Sequence, residues 1–205
     1  MKRRDLVAEA ASTLGLALTD AQVGALLGFA DRLAGRGIEI GAVARGDRDR
    51  ILERHVLDSL RATPFVRPED RIAYDFGSGG GLPGVPLAVA CPWTTWVLVE
   101  SRHWRAAFLE LVADELGLNV RVERSRVEDM AVPADLATSR AFAPLGRAWE
   151  LARPRLKPGG RLVFFAGARM TDPEADLSGR GVHGSVDVIP DVLDRGGALV
   201  IIERP

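Results

Sequence analysis

Along the chain, apolar positions follow two rhythms that change over near residue 70. Before it they recur every three to four residues, the period of a helix with one buried face. In "LTDAQVGALLGFADRLAGRG" (18–37), Val23, Leu26, Leu27, Ala30 and Leu33 share such a face. Thr19 and Gln22 have the spacing of a capping box, and Gly35 or Gly37 is expected to end the helix. A second amphipathic helix is predicted over Asp47 to Leu60, and Pro64 and Pro68 are expected to punctuate a linker. Residues 1–63 thus read as an N-terminal helical extension and 64–205 as the main unit.

From Arg71 onward, strand-length apolar runs alternate with helical ones. The expected strands are "IAYDF" (72–76), "TTWVLVE" (94–100), "NVRVER" (119–124), "DLATSR" (135–140) and "RLVFFAG" (161–167). The helix "RHWRAAFLELVADELG" (102–117) is expected to bury Trp104, Phe108, Leu111, Val112 and Leu116 and to close at Gly117. This alternation predicts an α/β fold, a mostly parallel doubly wound sheet covered on both faces. The tail "VDVIPDVLDRGGALVIIER" (186–204) reads as two strands around a turn at Arg195–Gly197, an antiparallel edge. Between sheet and tail, "ARMTDPEADLSGRGVHG" (168–184) reads as a polar, mobile loop.

Composition adds limits. At 205 residues and 47% hydrophobic the chain can bury one full core. No apolar run reaches the roughly 18 residues of a membrane span, and "MKRRDLVAEA" lacks the apolar centre of a signal peptide. Cys91 is the single cysteine, which suits a reducing cytoplasm. Net charge is −1, so RNA binding would need a local patch, and Arg36, Arg45, Arg48, Arg50 and Arg54 are the candidates.

The chemistry gathers at "YDFGSGGGLPGVPLA" (74–88), a glycine-rich turn between the first strand of the sheet and a helix. Glycines there permit positive φ and close approach of a nucleotide to the backbone. Two fingerprints overlap. Gly79, Gly81 and Gly84 fit the dinucleotide pattern; Asp75, Gly77, Gly79 and Gly81 fit that of S-adenosylmethionine. An acid at the strand end would repel a pyrophosphate and attract the methionine ammonium, so Asp75 favours S-adenosylmethionine. Glu100 ends the next strand, where an acid accepts from ribose hydroxyls, although it also suits the start of a helix. Val127 follows the third strand beside an adenine's place, and Glu128 or Asp129 can accept from the adenine amino group or simply face solvent. No metal-ligand spacing stands out.

Four segments in this order, "ERHVLDSL" (53–60), "DFGSGGGLPGVPLA" (75–88), "FLELVADELGLNVRVERSRVEDM" (108–130) and "SRAFAPL" (139–145), resemble the bacterial glucose-inhibited division protein B family. Its members are small-subunit (16S) ribosomal RNA guanine-N7 methyltransferases. The resemblance implies a Rossmann-like class I methyltransferase fold. It also implies S-adenosyl-L-methionine as cofactor with S-adenosyl-L-homocysteine as product, and the small ribosomal subunit as partner of a monomer. It puts Gly77, Leu82, Val127, Glu128 and Arg140 on cofactor positions, with Asp75, Ser78, Gly79 and Glu100 alongside. Arg54, His55, Asp58 and Ser59 become a substrate-side wall, and His55, Asp58 and Arg140 the candidate catalytic set. Taken alone, His55 and Asp58 can simply bond to each other on a helix surface, and Arg140 can pair with Asp135. The stretch 35–46 lacks the family's Asn-Leu-Thr-type segment, and Ala166 stands where a Lys is usual. A paralogue with another substrate and a non-catalytic cofactor-binding module remain open beside the leading reading.

Overall fold

The computed structural model describes residues 2–167, 170, 172–179, 186–189 and 197–205; at 174 and 186–189 the description is of the backbone. Helices α1 (Arg3–Thr13) and α2 (Asp20–Arg32) open the chain. The capping box forms: the Gln22 amide donates to Thr19 Oγ1 (3.3 Å), and the Thr19 amide donates to Gln22 Oε1 (2.8 Å). Neither Gly35 nor Gly37 ends the helix. The chain widens into a π turn over Leu33–Gly37 and turns back only at Gly41, where φ is +65°. Leu33, Gly37 and Ile38 are all buried, so packing carries the helix through residues of poor propensity.

The second helix is longer and less regular than expected. It begins as a 3-10 turn at Arg45–Arg50, widens to a π segment over Leu52–Leu57 and tightens again at Leu60–Phe65. Pro64 lies inside that last turn, where Arg61, Ala62 and Thr63 are buried, so this segment is packed core and not a linker.

The sheet has seven strands: β1 (Ile72–Phe76), β2 (Thr95–Val99), β3 (Val120–Glu123), β4 (Ala134–Arg140), β5 (Leu156–Phe165), β6 (Val186–Ile189) and β7 (Leu199–Glu203). Their order is β3-β2-β1-β4-β5-β7-β6. The first five are parallel, and β7 runs antiparallel to both β5 and β6. β5 starts five residues before the expected "RLVFFAG", because Leu156 already pairs with Ala134 and the register shifts before Leu136–Arg161. Arg195 and Gly196 of the expected terminal turn lie outside the described residues. Within the expected polar loop, a short helix α6 (Pro173–Leu177) docks Leu177 in the core, and Asp172 caps it. Apart from residues 170, 172, 178 and 179, the rest of that stretch lies outside the described residues.

Alternate residues of the strands face opposite layers. Tyr74, Phe76, Val97, Val99, Leu162 and Phe164 pack against α5 (Leu145–Ala152), whose Trp149 is fully buried. On the other face, Ala73, Trp96, Leu136 and Val163 meet Leu87 and Ala88 of α3 (Gly84–Ala90), Ala62 in the last turn of the second N-terminal helix and Val66 just after it. Those helices share a cluster with α3 and with α4 (His103–Leu116): Leu26, Phe29, Val56, Leu57 and Leu60 with Val85, Phe108, Leu109 and Val112. The buried face of α4 is therefore centred on Phe108, Leu109 and Val112. Trp104 and Leu111, expected inside, are 72% and 39% exposed, because the contacting stripe is rotated by one position. Gly117 closes α4 in the left-handed region as expected.

The glycines of the β1–α3 turn are of two kinds. A Cβ at Gly79 (φ +56°) meets nothing closer than 3.7 Å, whereas one at Gly81 (φ +90°) comes within 2.7 Å of Val85 Cγ2 and 3.1 Å of Leu109 Cδ2. Gly79→Ala should cost about 1–2 kcal/mol through backbone strain alone. Gly81→Ala should add roughly 1–3 kcal/mol of overpacking. Urea denaturation of both variants checks the ordering; equal losses would contradict the packing described.

Candidate functional site

The C-terminal ends of β1, β2, β4 and β5 open into a cleft, the place where open α/β sheets bind ligands. Its floor is the glycine turn. Gly77, Gly79 and Gly81 all have positive φ, which folds the chain tightly enough for the Ser78 amide to reach Val99 O (3.0 Å) and the Gly81 amide to reach Ser78 O (2.7 Å). Asp75 lies beneath this turn and is fully buried. Its carboxylate accepts from Thr138 Oγ1 (2.8 Å) on β4 and from the Gly84 amide (3.2 Å) at the start of α3. A Cβ at Gly84 would fall 2.7 Å from Asp75 Oδ2, so glycine is required for that contact. Burial pushes the Asp75 carboxyl up to about 6, against the hydrogen bonds from Thr138, Ser78 and Gly84 and the charge of Arg140.

Three adjoining chambers make up the cleft. The first, about 390 Å³, is bounded by Gly77, Val99, Glu100, Val127, Glu128 and Phe142, with Arg102, Arg105, Arg126 and Arg147 around it. The second, about 330 Å³, lies over Gly77, Ser78, Gly79, Gly80 and Leu82, and is closed by Asp47, His55, Arg105 and Arg140. The third, about 500 Å³, is lined by Asp47, His55, Asp58, Arg61, Arg140, Phe165 and Ala166. Ala141 borders all three. It is the one non-glycine residue at positive φ (53°) among the described residues, a strained turn directly after Arg140.

Of the residues singled out from the sequence, Gly77, Glu100, Val127 and Glu128 border the first chamber and Ser78, Gly79, Leu82 and Arg140 the second. His55 and Arg140 border the second and third, and Asp58 the third. Asp75 borders none of them. Its carboxylate does not face the cleft, contrary to the expectation from the sequence, because the strand alternation turns it under the loop toward Leu98 and Thr138. The acid that does border the second chamber is Asp47. Glu100 is nearly buried, and its two carboxylate oxygens accept from the Gly79 amide (3.0 Å) and the Arg102 amide (2.8 Å). Glu128 pairs with Arg147 (3.1 Å), while Asp129 bonds the Arg126 amide and stays outside the chambers.

Arg140 pairs with Asp58 (Nη1–Oδ2, 3.1 Å); Asp135, the alternative acid, holds Lys157 and the Arg71 and Ile72 amides. Arg140 also donates to the carbonyls of Arg54 (3.2 Å) and His55 (3.4 Å) in the π segment, and its guanidinium lies 5.6 Å from the Phe165 ring centre. Asp58 is bonded on its other oxygen by Arg61 (2.9 Å), which in turn donates to Gly197 O (2.6 Å). His55 does not bond Asp58. Its Nε2 lies 3.1 Å from Asp47 Oδ2 and its Nδ1 lies 3.4 Å from Arg140 Nη2. An arginine only donates, so Nδ1 accepts and the ring is the neutral Nε2–H tautomer. Burial and then the Arg140 charge hold its pKa below the ordinary value, with Asp47 opposing.

Sequence reasoning missed Asp47, Arg61, Arg105 and Phe142. Asp47 and His55 are eight apart, a spacing that a regular helix does not align but a run of 3-10 and π turns does. Phe142 covers the loop so closely that a Cβ on Gly77 would sit 2.9 Å from its Cγ. Among the described residues no cluster of His, Cys, Asp or Glu is arranged to hold a metal ion. No described helix is long and apolar enough to cross a membrane.

A family model described as rRNA small subunit methyltransferase G, GidB, matches residues 22–178. The chain belongs to this family. Relatives named ribosomal RNA small subunit methyltransferase G include that of Mycolicibacterium gilvum, 38% identical over 73% of this chain and 68% of its own length. That of Acidiphilium cryptum is 39% identical over 80% and 77%. The chain spans 60% of the length of the Mycobacterium leprae relative, at 40% identity over 70% of this chain. Among solved structures, a methyltransferase from Pyrococcus furiosus superposes with a TM-score of 0.58 at 15% identity, covering 70% of this chain and 79% of that one. The S-adenosylmethionine-dependent methyltransferase SibL does so with 0.60 at 17%, covering 78% and 57%. These likenesses establish the fold as a Rossmann-like class I methyltransferase, as the family resemblance implied.

Two outcomes follow from the buried carboxylates. Asp58→Ala removes the buried carboxylate that Arg61 and Arg140 share and should destabilise the fold by about 3–5 kcal/mol, with Asp58→Asn losing less; chemical denaturation measures both. For Asp75 the folded pKa lies above the unfolded one, so the folded state holds the extra proton and stability should fall as pH rises from about 4 to about 6. The total is on the order of 3 kcal/mol. Asp75→Asn should remove that slope, and an unchanged pH profile would contradict the assignment.

Proposed function

We propose that the chain is an S-adenosylmethionine-dependent methyltransferase that methylates N7 of a guanine in small-subunit ribosomal RNA. One observation carries the reading: a glycine-floored cleft divided into three chambers whose linings differ in chemistry. The first suits a nucleoside. Glu100 offers carboxylate oxygens for ribose hydroxyls, while Val99, Val127 and Phe142 offer apolar walls for a base. The second suits an amino-acid zwitterion, with Asp47 facing the ammonium and Arg105 and Arg140 the carboxylate. S-adenosylmethionine matches both in one molecule and, when bound, would supply an electrophilic methyl on its sulfonium. A dinucleotide would need a second phosphate-bearing half where the second chamber presents an acid.

The third chamber is the acceptor's place in this reading. Arg140 and Phe165 form a planar cation over a ring, suited to a purine whose O6 accepts a hydrogen bond while N7 stays free. Guanine N7 carries a free lone pair and loses no proton before attack, so the chain needs to position the base and exclude water, not supply a strong base. The neutral, depressed His55 fits that requirement: its one N–H is committed to Asp47 and its other nitrogen to Arg140. Asp58 acts through Arg140, fixing the guanidinium between β4 and the π segment. The names of the family relatives support the ribosomal substrate.

Calorimetry should show S-adenosylmethionine and S-adenosylhomocysteine binding in one site and NAD not at all, with Asp47→Asn weakening the first about tenfold. Single-turnover transfer to unmethylated small subunits should vary little between pH 6 and 9. Arg140→Ala should cost about 2–4 kcal/mol of transition-state stabilisation, and Arg140→Lys should recover part of it. An acid limb that disappears in His55→Ala would point to proton abstraction and therefore to another acceptor atom.

A further inference from the structure

The first turn of α4 carries a side chain that the fold does not explain. Trp104 is the most exposed large apolar residue described, 72% open to solvent, and its indole N–H donates to no acceptor among the described residues. Trp93, by comparison, donates its N–H to Arg67 O (3.1 Å). The His103 ring lies 5.1 Å from Trp104, tilted by 56°, and Arg124 Nη1 is 3.1 Å from His103 Nδ1. Arg102, two residues before Trp104, and Arg105, one residue after it, border the first chamber together with Arg126, so the aromatic pair lies on the turn of α4 that forms the rim of the cleft.

The charge around this rim is unbalanced. Arg102, Arg105, Arg124 and Arg126 make no ion pair with any described acid. The acids near them are engaged: Glu123 with Arg121, Glu128 with Arg147, and Glu100 with two backbone amides. An open indole on a helix turn that also carries Arg102 and Arg105, and that His103 links to Arg124, matches unpaired nucleotides, whose bases stack on aromatic rings while arginines follow the phosphates. A protein partner would be met more often by a wider apolar patch with fewer free cations.

Resting on the ribosomal RNA reading above, we infer that the Trp104 face is a stacking platform for an unpaired RNA nucleotide flanking the acceptor base. Arg102, Arg124 and Arg126 hold its backbone. An acceptor purine must leave its stack to reach the third chamber, and its neighbours then need a surface on which to lie.

The test uses the whole chain and a labelled single-stranded oligo(A) dodecamer, with an A–U duplex of the same length as control. Trp104→Ala should weaken binding of the single strand about tenfold, and Trp104→Phe by less than threefold. Duplex binding should be equal in all three proteins. Arg102→Ala with Arg126→Ala should lower the salt dependence of binding by about two phosphates' worth. For the two Trp104 variants thermal melts and S-adenosylmethionine affinity should not change, and wild-type tryptophan fluorescence should be quenched by the single strand. Binding by Trp104→Ala within twofold of wild type, with the wild type methylating small subunits, overturns the platform and leaves the ribosomal reading standing. Loss of transfer to intact subunits with normal oligo(A) binding also overturns it, since the indole would then dock on a ribosomal protein. A wild type that binds no RNA and methylates no subunit removes both.

Discussion

The site depends on one contact, the Asp75 carboxylate against the backbone amide of Gly84. It ties the end of β1 to the first turn of α3 across a loop of three left-handed glycines, while Thr138 ties the same carboxylate to β4. A buried acid here costs stability at neutral pH, and its hydrogen bonds offset only part of that cost. What it gives in return is position. With the turn fixed, Glu100 meets the Gly79 amide from β2, Phe142 lies on Gly77 from beyond β4, and the cleft has a rigid floor.

The opposite wall comes from the helices that precede the sheet. Their π segment leaves the carbonyls of Arg54 and His55 within reach of Arg140, and Asp58 one turn later pairs with the same guanidinium. Arg61 secures Asp58 and extends to the start of β7 through Gly197 O. Arg140 is therefore held by the segment 54–58 on one side and by Phe165 of β5 on the other. Such a group is expensive to bury and keeps a single orientation, which suits positioning better than proton transfer.

Much of this was legible in the sequence, for physical reasons. Strand alternation and the glycine turn are local signals, so β1 to β4 and the loop were found nearly to the residue, while β5 was found with its start five residues late. The family segments named Gly77, Leu82, Val127, Glu128 and Arg140, and all of them border the cleft. Local signals failed where packing overrode them. Gly35, Gly37 and Pro64 read as breaks but are carried through helices by buried neighbours. The outward turn of Trp104 and the inward turn of Asp75 depend on helix rotation and strand face, which apolar spacing did not fix. Asp47 could not be read as a site residue, because its approach to His55 needs a helix that changes pitch twice.

The account's central claim is that this cleft delivers a methyl group to guanine N7 in small-subunit RNA. The most direct measurement is mass mapping of nucleosides in small subunits incubated with the wild-type chain and isotopically labelled S-adenosylmethionine. The account predicts label in one 7-methylguanosine per subunit. Label on an exocyclic amine, on a base carbon or only on a metabolite would contradict it.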